Sequence, residues 1–146
     1  MNDLEEKKEL DTRYEVLKIA LQEQNLSDFR ENFLELHIYE QGQFYESLTE
    51  KERAQMYSYL SPKELADMFD SLEEDEDALK EYLEEMRPSY AAAMLSAMYT
   101  DNAVDLLNLL KKKDTAKYLS LMSPEAAAEI KELLHYEDET AGAIMT

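Results

Sequence analysis

"YLSPKELADMF" (Tyr59–Phe69), "EMRPSYAAAML" (Glu85–Leu95) and "LMSPEAAAEI" (Leu121–Ile130) are three versions of one phrase. Each runs from an apolar residue through a cap position and a proline into a helix of small residues. The proline sits where its missing N–H is not needed and its fixed φ suits the first helical turn, so each phrase starts a helix rather than breaking one. In Ser61-Pro62-Lys63-Glu64 the glutamate completes a capping box, and Thr49-Glu50-Lys51-Glu52 is a second box without the proline. Thr100-Asp101 opens a further helix. With Glu73–Asp77 taken as one more start, these signals recur about every 12–13 residues from Thr49 to Thr100, which makes each helix about three turns long.

Nothing in the chain competes with helix. There are two glycines and three prolines in 146 residues, and no Asn-Gly or Asp-Gly hairpin turn. Apolar residues recur at helical spacing: Leu10, Tyr14, Leu17 and Leu21 in one stripe, Leu65, Phe69 and Leu72 in another, then Leu79, Tyr82, Leu83 and Met86, then Val104, Leu107 and Leu110. The repeated phrase predicts an all-α fold, an α-solenoid-like superhelix of about ten short helices in which each hairpin buries its stripe against the next. A compact orthogonal bundle is the alternative. Residues 2–48 follow the pattern less closely. They predict one longer helix, a break at Asn25–Ser27, a helix over Asp28–Leu36 and a short helix around Gly42.

The charge narrows the partners. Thirty-four acidic against fifteen basic residues give a net charge of −19, a field that repels phosphate backbones and anionic headgroups and attracts cations. Nucleic-acid binding and direct membrane contact are therefore disfavoured. With no cysteine, disulfides, zinc-thiolate sites and thiol catalysis are excluded. Met1–Lys8 is polar and acidic, unlike a signal peptide, and no apolar run approaches the roughly 18–20 residues of a membrane span.

Catalytic constellations are scarce. His37 and His135, the two histidines, each follow a leucine near a helix end, and a structural role accounts for both. No Gly-x-Ser-x-Gly, phosphate-binding glycine loop or His-Glu-x-x-His is present, so an enzyme is not expected. Met56, Met68, Met86, Met94, Met98 and Met122 fall at or beside core positions and are expected to pack there. The run Glu73–Asp77 reads as a solvated helix start and lacks the alternating ligands and central glycine of a calcium loop.

Asp101 and Asp105 stand apart from this background. Four residues apart on a predicted helix, they share a face, and position 109, one turn on, is leucine rather than a basic partner. Mg²⁺ keeps several waters and needs only one or two protein carboxylates, so such a pair suits it. Asp67 lies on the polar side of the preceding predicted helix, Ser61–Leu72. Spacing alone leaves ordinary surface charge as the simpler reading of all three.

The end of the chain adds a more specific signal. Glu137-Asp138-Glu139-Thr140-Ala141-Gly142-Ala143-Ile144-Met145-Thr146 resembles the acidic-Ala-Gly-x-Leu-Met-Thr junction of MgtE-type magnesium transporters. The Leu-Ser-Pro phrases at Leu60–Ala66 and Met122–Ala128 are similar to the right-handed superhelical N domain of that family. The likeness covers roughly residues 28–146, with Ala143 where glycine or arginine is common and Ile144 in place of leucine. It implies a right-handed superhelix over residues 1–135 and a linker at 136–146 leading to CBS domains. It also implies a place on the cytoplasmic side of the cell membrane within a transporter that is a homodimer. In that family Mg²⁺ ions shared between the N domain and the CBS domains favour the closed pore when cytosolic Mg²⁺ is high. The likeness puts Asp67, Asp101 and Asp105 on those interface positions, with Mg²⁺ held weakly by this domain alone. A non-catalytic interaction superhelix of flagellar-switch type has the same architecture and is the competing reading.

Overall fold

A computed structural model describes the backbone of residues 3–145 and the side chains of residues 4–134. Within these residues there are ten helices and no strand: α1 (Asp3–Gln22), α2 (Leu26–Glu35), α3 (Ile38–Glu46), α4 (Glu50–Tyr59), α5 (Pro62–Phe69), α6 (Glu76–Glu85), α7 (Pro88–Ala97), α8 (Thr100–Asn108), α9 (Lys112–Ser120) and α10 (Pro124–Met145). The fold class is all-α, as the sequence predicts. The helices fall into two compact units, α1–α4 and α5–α10, dividing between Ser61 and Pro62.

In the first unit the predicted break at Asn25–Ser27 is a reversal of the chain with two linked parts. Gln24 takes a left-handed backbone, φ 57°. This lets the Asn25 N–H reach Ala20 O at 2.8 Å and the Gln24 N–H reach Leu21 O at 3.2 Å, the paired bonds that close a helix C-terminus. Asn25 then caps α2, its side chain accepting from the Asp28 N–H at 3.2 Å. Helices α1 and α2 pack side by side, and both touch α4.

Aromatic rings fill the space between them. Phe29 stacks on Phe33 at 5.3 Å, Phe33 meets Phe44 edge-on at 6.3 Å, and Tyr14 lies 5.4 Å from Phe44. The three phenylalanines are fully buried with Leu17, Leu21, Tyr45 and Met56, each side chain contributing about 1.5–3 kcal/mol by leaving water. The buried polar groups are satisfied: Gln41 Nε2 donates to Phe33 O at 3.1 Å and Arg53 Nη1 to Leu48 O at 2.7 Å.

Histidine 37 proves structural in a specific way. It is the N-cap of α3, its Nδ1 accepting from the Tyr39 N–H at 3.2 Å, while the Glu40 carboxylate reaches back to the His37 N–H at 3.1 Å. His135 and Gly142 lie outside the described side chains.

In the second unit α5 packs on α7, α7 on α9 and α8 on α10, with α7 also touching α8. Stacking of this kind builds a superhelical array. The phrase "PSYAAAML" explains why α7 is central. Ala91 and Ala92 are fully buried, and their short side chains let neighbouring helices approach closely. Met68, Met86, Met94 and Met98 are buried here, as Met56 is in the first unit, while Met122, expected with them, is only half-buried beside the start of α10. Asp75 caps α6 through the Ala78 N–H at 2.8 Å, which places Glu73 and Glu74 just ahead of a helix start. Helix α10 continues through residues 136–145. No helix is long and apolar enough to cross a membrane among the described residues.

Candidate functional site

The three aspartates singled out by sequence all lie in the second unit. Asp101 is in the first turn of α8 and Asp105 one turn later; both are exposed. Val104, Leu106 and Leu107 bury the opposite side of the same helix, which is what turns the carboxylates outward. Neither is in an ion pair among the described residues. Asp67 is on α5, 51% exposed, with Lys63 Nζ 3.8 Å from Oδ1. An exposed pair one turn apart at that distance contributes only about 0.3–0.5 kcal/mol, so it leaves Asp67 available to another cation.

A fourth aspartate, missed by the sequence reading, ties α5 to α8. Asp70 follows the last residue of α5. Its Oδ1 accepts from the Tyr99 N–H at 3.1 Å and from Asn102 Nδ2 at 3.0 Å, and Oδ2 is 3.4 Å from the same Tyr99 N–H. Tyr99 is the N-cap of α8 and has no side-chain cap bond of its own, so Asp70 supplies the cap from 29 residues away. The bond sets the turn after Asp67 beside the turn before Asp101. The one local hint was an acidic residue at the C-terminal end of α5, where the helix dipole disfavours it.

Behind this contact a cleft of about 270 Å³ opens, lined by Phe69, Asp70, Leu72, Glu76, Leu79, Met98, Asn102, Asp105, Leu106 and Leu109. Asp105 and Glu76 therefore share a rim with the capping carboxylate. Yet no three acidic or histidine side chains form a group able to hold a metal among the described residues. The aspartates of this surface come in ones and twos, enough for part of a coordination shell and no more.

The acidic field also shows in the tyrosines. Burial pushes the Tyr90 phenol well up from its ordinary value, and the nearby Glu64 adds to it. Tyr118 is raised by burial and then by Asp114 and Glu84. In the first unit burial, then Glu40 and Asp11, push Tyr14 up to about 12. Each charged neighbour in this set is negative, and a negative potential disfavours a phenolate while it favours a divalent cation.

Known proteins match this chain along nearly its whole length. The family model of the MgtE intracellular N domain matches residues 36–139. "Magnesium transporter MgtE" of Enterococcus faecalis (strain ATCC 700802 / V583) is 66% identical over 143 residues, which is 98% of this chain and 32% of that protein. The chain thus spans about a third of the length of that relative. A crystal structure of the soluble part of a magnesium transporter superposes with a TM-score of 0.83 at 67% identity, covering 92% of this chain and 53% of that one.

Proposed function

Because this chain belongs to the family of MgtE intracellular N domains, we propose that it is a non-catalytic, Mg²⁺-sensing regulatory domain of a magnesium transporter. Its acidic surface shares divalent ions with CBS domains of the same polypeptide. The observation that carries this reading is the exposed Asp101/Asp105 pair, one turn apart, without a basic partner among the described residues, on a helix start pinned by Asp70. Asp67 completes the proposed surface from α5.

A module at −19 and an acidic neighbour repel each other, and at physiological ionic strength that repulsion reaches about 8 Å beyond each surface. A hydrated Mg²⁺ between the two removes the repulsion locally and adds ligand bonds to each side. The assembly closes when the ion is abundant and opens when it is scarce, and closure favours a shut pore. The protein works at the cytoplasmic face of the membrane, as part of a homodimer.

This chain contributes one or two carboxylates per ion, so alone it binds Mg²⁺ at millimolar concentration or weaker. The test uses the full-length transporter carrying Asp67→Asn, Asp101→Asn and Asp105→Asn together. Mg²⁺ protects the wild-type cytosolic assembly from proteolysis, and the triple variant is expected to need a much higher concentration for equal protection. Undiminished protection of the variant removes these residues from the sensor. Chemical-shift mapping on the chain alone adds a second check: saturable movement at Asp101 and Asp105 only in the millimolar range. Tight stoichiometric binding contradicts the shared-ion idea.

A further inference from the structure

A groove of the second unit shares no lining residue with the cleft beside Asp70 and Asp105 and carries basic rather than acidic side chains among the described residues. It measures about 700 Å³ and runs between the end of α8, helix α9 and helix α10. Leu107, Leu110, Leu119 and Leu134 supply its apolar walls, and Ala116 keeps one side shallow. Its polar lining is Asn108, Thr115, Lys112 from α9 and Lys131 from α10, and no acidic residue lines it among the described residues. In a chain with 34 acidic and 15 basic residues, that is a local reversal of sign. Both lysines are exposed, and neither is in an ion pair among the described residues. Lys111 and Lys113, also exposed, flank Lys112 and extend the basic edge.

We propose that this groove docks an acidic amphipathic helix of a partner protein segment. An amphipathic helix lays anchors at i, i+3, i+4 and i+7 into an apolar trough, and acidic residues beside those anchors meet lysines from two of its walls. The groove lacks what orients a small molecule. Such sites place a few fixed polar groups against the ligand, but the Thr115 hydroxyl is already committed to Leu107 O at 3.0 Å, and Asn108 and the two lysines are exposed side chains. Charge selects the partner's sign, and leucine-lined shape selects its form. The inference stands apart from the metal reading, because no residue is common to the two surfaces.

A synthetic peptide of about 14 residues, with leucines at i, i+3, i+4 and i+7 and glutamates on both flanks, is the probe. It is titrated into the isotope-labelled chain in chelator-containing buffer, so that Mg²⁺ plays no part. Amide shifts are expected at Leu107, Ala116, Leu119 and Leu134, and a lysine-flanked peptide of the same pattern is expected to bind about ten-fold or more weakly. Lys112→Glu with Lys131→Glu should reverse that preference. Ala116→Trp, which fills the groove from an exposed position, should abolish binding with the thermal midpoint unchanged. Equal binding of the two peptides overturns the proposal, as do shifts confined to other helices. Decanoate moving the same amides where neither peptide does assigns the groove to a small amphiphile and also overturns it. So does self-association in sedimentation that the double lysine variant removes, which assigns the groove to a second copy.

Discussion

Replacing Asp70 by alanine tests how α8 is held. The substitution removes two hydrogen bonds at once, those that Oδ1 accepts from the Tyr99 N–H at 3.1 Å and from Asn102 Nδ2 at 3.0 Å. Loss of an N-cap costs about 0.5–2 kcal/mol, and a negative charge at a helix start contributes about 0.3–1 kcal/mol through the dipole. These overlap, because the cap bond is part of the dipole's effect, and Asp70 is only half-buried, so water replaces some of what is lost. About 2 kcal/mol is the expected sum, and about half of it for Asp70→Asn, which keeps one acceptor oxygen and loses the charge. With a urea dependence of about 2 kcal/mol per molar, the unfolding midpoint followed by circular dichroism should fall by about 1 M. Native-state hydrogen exchange should show the amides of residues 100–104 opening faster, while α2 in the first unit stays unchanged. Asp67→Asn is the control, since its ion pair with Lys63 is exposed and spans 3.8 Å. A midpoint shift for Asp70→Ala no larger than that of the control, with α8 exchange unaltered, refutes the capping role.

Three further outcomes follow from the first unit. Gln24→Gly should stabilise the chain by about 0.5–1 kcal/mol, because φ 57° costs a side chain more than glycine's added freedom in the unfolded state takes back; a lower thermal midpoint contradicts this. The Glu52 carboxyl is held below its usual range, first by the Thr49 N–H and, against its burial, also by Lys18. A lowered value gives stability that is full above the unfolded pKa of about 4.3 and lost as pH falls through the folded one. Glu52→Gln should therefore trail the wild type at pH 7 and match it in strong acid, and an equal deficit at both pH values shows the charge to be irrelevant. In a spectrophotometric titration, Tyr14 should ionise only near its raised value of about 12, after the exposed phenols, and Tyr14→Phe should remove its share of the late absorbance to which the raised Tyr90 and Tyr118 also contribute. Since the value is raised, its contribution to stability is full below about 10 and is lost as pH rises toward 12; an unchanged late phase in the variant rules out the assignment.

Much of the fold was legible because its signals are short. Thr49 and Glu52 are three residues apart, and their capping box forms as read, with the Thr49 N–H 2.9 Å from Glu52 Oε1. Pro62, Pro88 and Pro124 each begin a helix. The Leu17/Leu21, Leu65/Phe69 and Val104/Leu107 stripes are buried. Helix α9 was harder to see, since "KKDTAKYLS" starts with lysines, which the dipole disfavours, and no side chain caps it. The cap of α3 was missed for a related reason: histidine is an uncommon acceptor in that position.

The candidate site divides in the same way. That Asp101 and Asp105 share a face needs only the helical repeat, and the sequence alone determined it, along with the all-α class, most helix starts and the acidic field. Tertiary structure decided that Asp70, an unfavourable residue at the end of its own helix, is a favourable one at the start of another. It also decided that Lys112 and Lys131, nineteen positions apart, line one groove. Caps, dipoles and amphipathic period act over a turn or two of chain and can be read in a line of residues. Contacts between helices depend on which stripe finds which, an outcome of packing the whole unit that no short window contains.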